Sequence, residues 1–137
     1  MDRFLSLEFS SEIIFLELVD FAVETFLRNV DLDERVFFRV SFSVRECVIN
    51  AIKHGNGFQK DKKVSVEFYL KDEKIFKCII KDMGKGFNIE EISDPSQGEN
   101  LLRPDGRGLF LVKTFMDETF TKKVNDHFEV IIVKNLK

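Results

Sequence analysis

The alternation of apolar and polar positions divides the chain into a series of short regular elements interrupted by one long loop. Residues 3 to 10, RFLSLEFS, alternate at period two, with Leu5, Leu7 and Phe9 on one side and Phe4 and Ser6 on the other, as in a half-buried strand. Ser10 or Ser11 then offers a helix cap, and Ile14, Leu18, Phe21, Ala22 and Thr25 or Phe26 recur at helical spacing as far as Asn29. Asp31 and Asp33 supply the next start signal, and the stretch from Asp33 to Gly57 reads as one amphipathic helix. Its apolar stripe is Phe37, Val40, Val44, Cys47, Val48 and Ala51. At about 3.6 residues per turn, Glu46, Asn50 and Lys53 or His54 share the polar edge beside that stripe. Gly55 and Gly57 are expected to take the left-handed positions that close the helix.

Beyond the charged turn Lys60 to Lys63, the segments Val64–Leu70 and Lys74–Asp82 read as two strands of a hairpin joined by KDE, the second with the denser apolar run of a central strand. From Asn88 to Arg107 the periodicity fades, and both prolines of the chain fall there. Apart from a helical turn at IEEI this is a loop, and loops of such length inside a domain are usually functional or disordered. Helical spacing resumes from Gly108 to Asp117, and residues 119–125 and 128–134 read as two strands around the turn Asn125-Asp126. The economical packing of this series is an α+β two-layer sandwich, a mixed, mostly antiparallel sheet with helices on one face.

Composition narrows the functional classes. At 137 residues the chain is expected to form a single domain, residues 1–137. A net charge of −3 gives no general reason to expect nucleic-acid binding, so partners are sought among proteins and small ligands. No apolar run approaches the roughly 20 residues that span a bilayer, and the N-terminus lacks the signature of a signal peptide, so no membrane partner and a cytoplasmic location are expected. Cys47 and Cys78 lie in apolar stretches without a CxxC partner, and His54 and His127 form no HxH or HxxxH pair; neither a disulfide nor a transition-metal site is expected. Sixteen Phe against one Tyr and no Trp point to a core filled by phenylalanine.

Three segments carry candidate chemistry: Glu46-x-x-x-Asn50-Ala51-x-x-His54-Gly55-Asn56, Asp82-x-Gly84-x-Gly86-Phe87 at a strand end, and Gly106-Arg107-Gly108-Leu109 opening a helix. A strand-end aspartate followed by two glycines offers a carboxylate acceptor beside nearly bare backbone, which suits the exocyclic amine of a flat ring. Glycines at a helix start leave N–H groups and the positive end of the dipole facing outward, an anion site suited to phosphates. Asn50 could hold a hard cation such as Mg²⁺ through its carbonyl oxygen, with waters and phosphate oxygens as the other ligands. Each residue also has a plainer reading: Glu46 as a solvated helix carboxylate, His54 as a structural residue at a helix end, Arg107 as a loop charge. Arg103 and Lys113 read as surface charges, and Phe87 and Phe110 as core or pocket wall.

Taken together the three segments resemble the Bergerat-type ATP-binding fold of the GHKL superfamily, shared by DNA gyrase, Hsp90, histidine kinases and MutL. Within it, ECVINAIKHGN, KDMGKGFN and DPSQGENLLRPDGRGLFLVKTFMDE look most like the small anti-sigma-factor serine/threonine kinases of bacteria. There is no Walker-type GxxxxGK[ST]. The resemblance implies Glu46 as general base, Asn50 as Mg²⁺ ligand, Asp82 as the adenine-binding aspartate, and Gly84 and Gly86 as the glycines that admit the base. It implies residues 88–105 as an ATP lid and Gly106, Gly108 and Leu109 as its phosphate-contacting end, with His54 and Arg107 close to the nucleotide. The function it implies is an ATP- and Mg²⁺-dependent protein kinase that is also an anti-sigma factor, with a sigma factor and an anti-sigma factor antagonist as partners; a homodimer is compatible with it. Two alternatives stay open: an ATP-gated binding module without kinase activity, and a detached histidine-kinase-like ATPase domain. The latter is disfavoured because no helical hairpin with a phospho-accepting histidine is evident in the sequence.

Overall fold

The computed structural model describes residues 2–92 and 106–137. Its sheet contains β1 (Arg3–Ser10), β2 (Lys63–Lys71), β3 (Ile75–Asp82), β4 (Glu118–Val124) and β5 (His127–Asn135) in the order β1-β2-β3-β5-β4, and every neighbouring pair is antiparallel. The sheet expected to be mixed and mostly antiparallel is, among the described residues, antiparallel throughout. The period-two pattern fixes its two faces: Leu5, Val66, Phe68, Phe76, Cys78, Ile80, Val130 and Ile132 point to one side and form the core, while Ser6, Glu67, Lys77 and Glu129 point to the other. Asp72 and Glu73, both at positive φ (56° and 50°), form the tight turn of the β2–β3 hairpin, and Asn125 (φ 53°) turns β4 into β5.

Among the described residues, helices α1 (Leu16–Phe26), α2 (Glu34–Asn50) and α3 (Gly106–Phe115) cover the apolar face. Helix α1 follows a 3₁₀ turn, Ile13–Phe15, and differs from expectation in its rotation. It buries Leu16, Val19, Ala22, Val23 and Phe26, whereas Ile14, Leu18 and Phe21 are exposed. Apolar residues occupy both sides of this helix, so two stripes fit its periodicity, and docking on β2 and β3 selects the one that reaches Phe68 and Phe76 through Phe26. Helix α2 starts where expected, with the Asp33 carboxylate accepting the Arg35 N–H at 2.7 Å. It ends earlier: regular α-helix stops at Asn50 and the chain continues as one wider π turn, Ala51–Gly55. Gly57 takes the left-handed conformation (φ 57°), but Gly55 does not. Helix α3 begins two residues sooner than the spacing predicts, at Gly106. Cys47 and Cys78 are free and buried; burial pushes the Cys47 thiol up to about 12, as expected of core cysteines.

The layering places the C-terminal half of α2 against β3 and α3, so that Glu46 and Asn50, the loop after β3 and the first turn of α3 meet at one end of the sheet.

Candidate functional site

Glu46, Ile49, Asn50, Lys53, His54, Gly108 and Leu109 surround one cavity of about 110 Å³. Helical spacing puts Glu46, Ile49 and Asn50 on one face of α2, the π turn that follows adds Lys53 and His54, and the start of α3 supplies the other side. Glu46 is half-buried and lies directly against the first turn of α3: a Cβ on Gly108 would run into its carboxylate. Glycine at 108 is thus what allows the carboxylate to approach the helix start. Burial raises the pKa of Glu46, opposed by the charge of Arg45. The site therefore holds a carboxylate predisposed to take up a proton beside a helix N-terminus that favours anions.

Asp82 ends β3 and is buried, 3% exposed. Its Oδ1 accepts the Gly84 N–H at 2.7 Å, and among the described residues no other hydrogen bond reaches the carboxylate. Burial raises its pKa, while the Gly84 bond and the charge of Lys123 pull the other way. The carboxylate rests on Gly55, where a Cβ would overlap it, and this contact is the reason for glycine at that position. Gly84 in turn packs on the backbone of Gly55, so closely that a Cβ at position 84 would stand only 2.8 Å from the Gly55 Cα. Gly86 adopts φ 87°, and the Phe128 ring occupies the space a side chain would need. Both glycines are thus demanded by close packing inside the protein.

Of the residues singled out in the sequence, Glu46, Asn50, His54, Gly108 and Leu109 share one cavity, and Asp82, Gly84 and Gly86 form the adjoining loop, joined to it through the π turn. Gly106 opens α3. Arg107 is exposed and stands outside the cavity lining. The expected lid, 88–105, falls outside the described residues except for 88–92, which contain the helical turn expected at IEEI as a 3₁₀ turn, Ile89–Glu91; Arg103 likewise lies outside them.

The supporting contacts of three residues escape the sequence reading. Lys113, expected as a surface lysine, donates to the carbonyls of Ile92 (2.8 Å) and Glu90 (3.2 Å) and ties that segment to α3. Lys123 on β4 donates to the Gly84 carbonyl at 2.8 Å, steadying the loop after Asp82. Asn56, at the end of the π turn, accepts the Met83 N–H at 2.7 Å. Each acts on a backbone atom distant in sequence, and no spacing rule signals such a contact.

The fold is that of GHKL-type domains. Residues 9–134 match the family model of the histidine kinase-like ATPase domain, and the chain belongs to that family. Among its curated relatives, the serine-protein kinase RsbW of Listeria innocua is 31% identical over 85 residues, 58% of this chain and 54% of that protein. The anti-sigma F factor of Clostridium novyi is 32% identical over 119 residues, 82% of this chain and 80% of that protein. The chain spans about half the length of the Listeria RsbW proteins it matches. Among solved structures, the RsbU and RsbW domains of a Mycobacterium tuberculosis protein share the fold at TM-score 0.67 and 15% identity, covering 98% of this chain and 32% of that one. The mycobacterial sensor histidine kinase MprB does so at TM-score 0.57 and 14% identity, covering 96% of this chain and 97% of that one.

Proposed function

We propose that the protein is an ATP- and Mg²⁺-dependent protein serine/threonine kinase that acts as an anti-sigma factor and phosphorylates an anti-sigma factor antagonist. The observation that carries this reading is the convergence of Glu46, Asn50 and the glycine-started helix α3 on one cavity, in a chain whose relatives are named for serine-protein kinase and anti-sigma activity.

The residues fit the groups this function requires. Asn50 offers a carbonyl oxygen in the cavity, a hard donor appropriate to Mg²⁺, which keeps waters and phosphate oxygens as its other ligands. Bound there, Mg²⁺ would neutralise charge developing on the transferred phosphoryl group. Asp82 keeps acceptor capacity beyond its bond to Gly84, suited to the exocyclic amine of adenine. The first turn of α3 offers N–H groups of the kind that hold phosphates, and Gly108 lets the Glu46 carboxylate stand directly against that turn. A cavity of about 110 Å³ suits the phosphate end of a nucleotide, since sites for whole ligands are several times larger, roughly 300–1,000 Å³.

In phosphoryl transfer the protein mainly positions groups and stabilises charge. Glu46 orients the serine or threonine hydroxyl of the antagonist and accepts its proton as the oxygen bonds to the γ-phosphorus and ADP leaves. The raised pKa of Glu46 makes it a better proton acceptor than an ordinary surface carboxylate. Residues 2–92 and 106–137 contain no helix long and apolar enough to cross a membrane.

Incubation with γ-labelled ATP, Mg²⁺ and candidate antagonist proteins tests this reading. Label is expected on a serine or threonine of one antagonist, and Glu46→Gln is expected to lower transfer at least about a hundredfold while binding ATP nearly as the parent does. ATP-dependent complex formation without transfer would instead identify a nucleotide-gated binding module.

A further inference from the structure

Asn56 closes the motif that begins at Glu46, yet neither the cavity nor the proposed transfer uses it. It is 1% exposed. Its Nδ2 donates to Ser11 Oγ at 2.9 Å and to the carbonyls of Lys63 at 3.1 Å and Lys62 at 3.3 Å, while its Oδ1 accepts the Met83 N–H at 2.7 Å. Only one orientation of the amide satisfies three acceptors on one side and a donor on the other. The backbone N–H of Asn56 bonds to Ala51 O at 2.8 Å, which makes the residue a direct extension of the π turn that follows Asn50.

Met83 immediately follows Asp82, and the next N–H, of Gly84, is the one that holds the Asp82 carboxylate. The Asn56 carbonyl therefore grips the backbone between the base-reading carboxylate and its own hydrogen-bond donor. The contacts of Gly55 with Asp82 and Gly84 act across the same seam, and they set spacing by repulsion. The Asn56–Met83 bond is the directional link that sets register.

We propose that Asn56 is a positioning residue for the base half of the nucleotide, fixing Asp82 relative to Asn50 so that base and metal-bound phosphates are held at one separation. This rests on the ATP reading of the site. A residue that only stabilised the fold would, on removal, weaken all ligands together; a positioning residue for the base half weakens ATP selectively.

Calorimetric titration of the full chain with Mg·ATP and with Mg·tripolyphosphate, alongside thermal melts, separates the two. Asn56→Ala is expected to weaken ATP about tenfold and to leave tripolyphosphate within about twofold of the parent. Asn56→Asp keeps an oxygen facing Met83 and loses the donors, so it is expected to melt lower than the parent yet retain most of the preference for ATP. Unchanged ATP affinity in Asn56→Ala, or parallel losses of both ligands, overturns the proposal. Should these variants not fold, amide hydrogen exchange in the parent decides: the Met83 N–H is expected to be protected with and without nucleotide, and free exchange overturns the clasp. A parent that binds neither ligand refutes the ATP reading, whereas ATP binding with an indifferent Asn56→Ala refutes only the clasp.

Discussion

Glu46 and Asp82 are carboxylates that folding makes harder to ionise, each chiefly through burial. A carboxyl whose folded pKa lies above its unfolded value binds its proton more readily in the folded state. Its ionisation therefore costs stability: the cost is absent below the unfolded value, grows as pH rises through the window between the two values, and is constant above it. Glu46→Gln and Asp82→Asn are thus expected to melt at or above the parent temperature near neutral pH, with the advantage shrinking as pH falls towards about 4. Thermal melts of the unliganded proteins across pH check this, and a parent that melts above both variants at pH 7 would contradict it. The expected combination of lost function and retained stability is that of groups placed for chemistry at a cost to the fold.

Between elements, the approach of α2 to α3 is the sensitive one. Gly108→Ala is expected to displace Glu46 or the start of α3, because the added Cβ meets the carboxylate. Labelled-phosphate transfer should then fall at least about tenfold with ATP affinity less affected, since a misplaced group costs rate more than binding. Helix α1 gives a test with one residue type. Leu16→Ala is expected to cost about 2–5 kcal/mol and Leu18→Ala under about 0.5 kcal/mol, measured by denaturant titration, because Leu16 is buried and Leu18 is 45% exposed. Equal costs would mean that the helix is rotated towards the stripe expected from the sequence.

That stripe shows where sequence reading reaches its limit. The strands are legible because alternation commits Val64, Val66, Phe68 and Leu70 to one face whatever packs on it. Helix α1 is not, because Ile14, Leu18 and Phe21 make a second apolar stripe as good as the buried one, and only tertiary docking chooses between them. The polar edge of α2 is legible down to Glu46 and Asn50, since helical spacing alone brings them together. The wider turn at Ala51–Gly55 is not, nor are the backbone contacts that Asn56, Lys113 and Lys123 make with segments 21 to 39 residues away.

At the scale of the whole molecule, a domain of the histidine kinase-like ATPase family has the segments proposed to face a nucleotide gathered at one end of an antiparallel sheet. Two segments distant in sequence, the π turn after α2 and the loop after β3, meet there through Gly55 and Asn56. If Asp82 reads adenine, losing its charge should be felt as lost ATP affinity in a protein that remains folded. Calorimetric titration of Mg·ATP into the parent, Glu46→Gln and Asp82→Asn measures this. Saturable binding is expected for the parent and Glu46→Gln, with Asp82→Asn weaker by about tenfold or more. Binding of ATP by Asp82→Asn as tightly as by the parent, or no binding by the parent, would contradict the proposed nucleotide site.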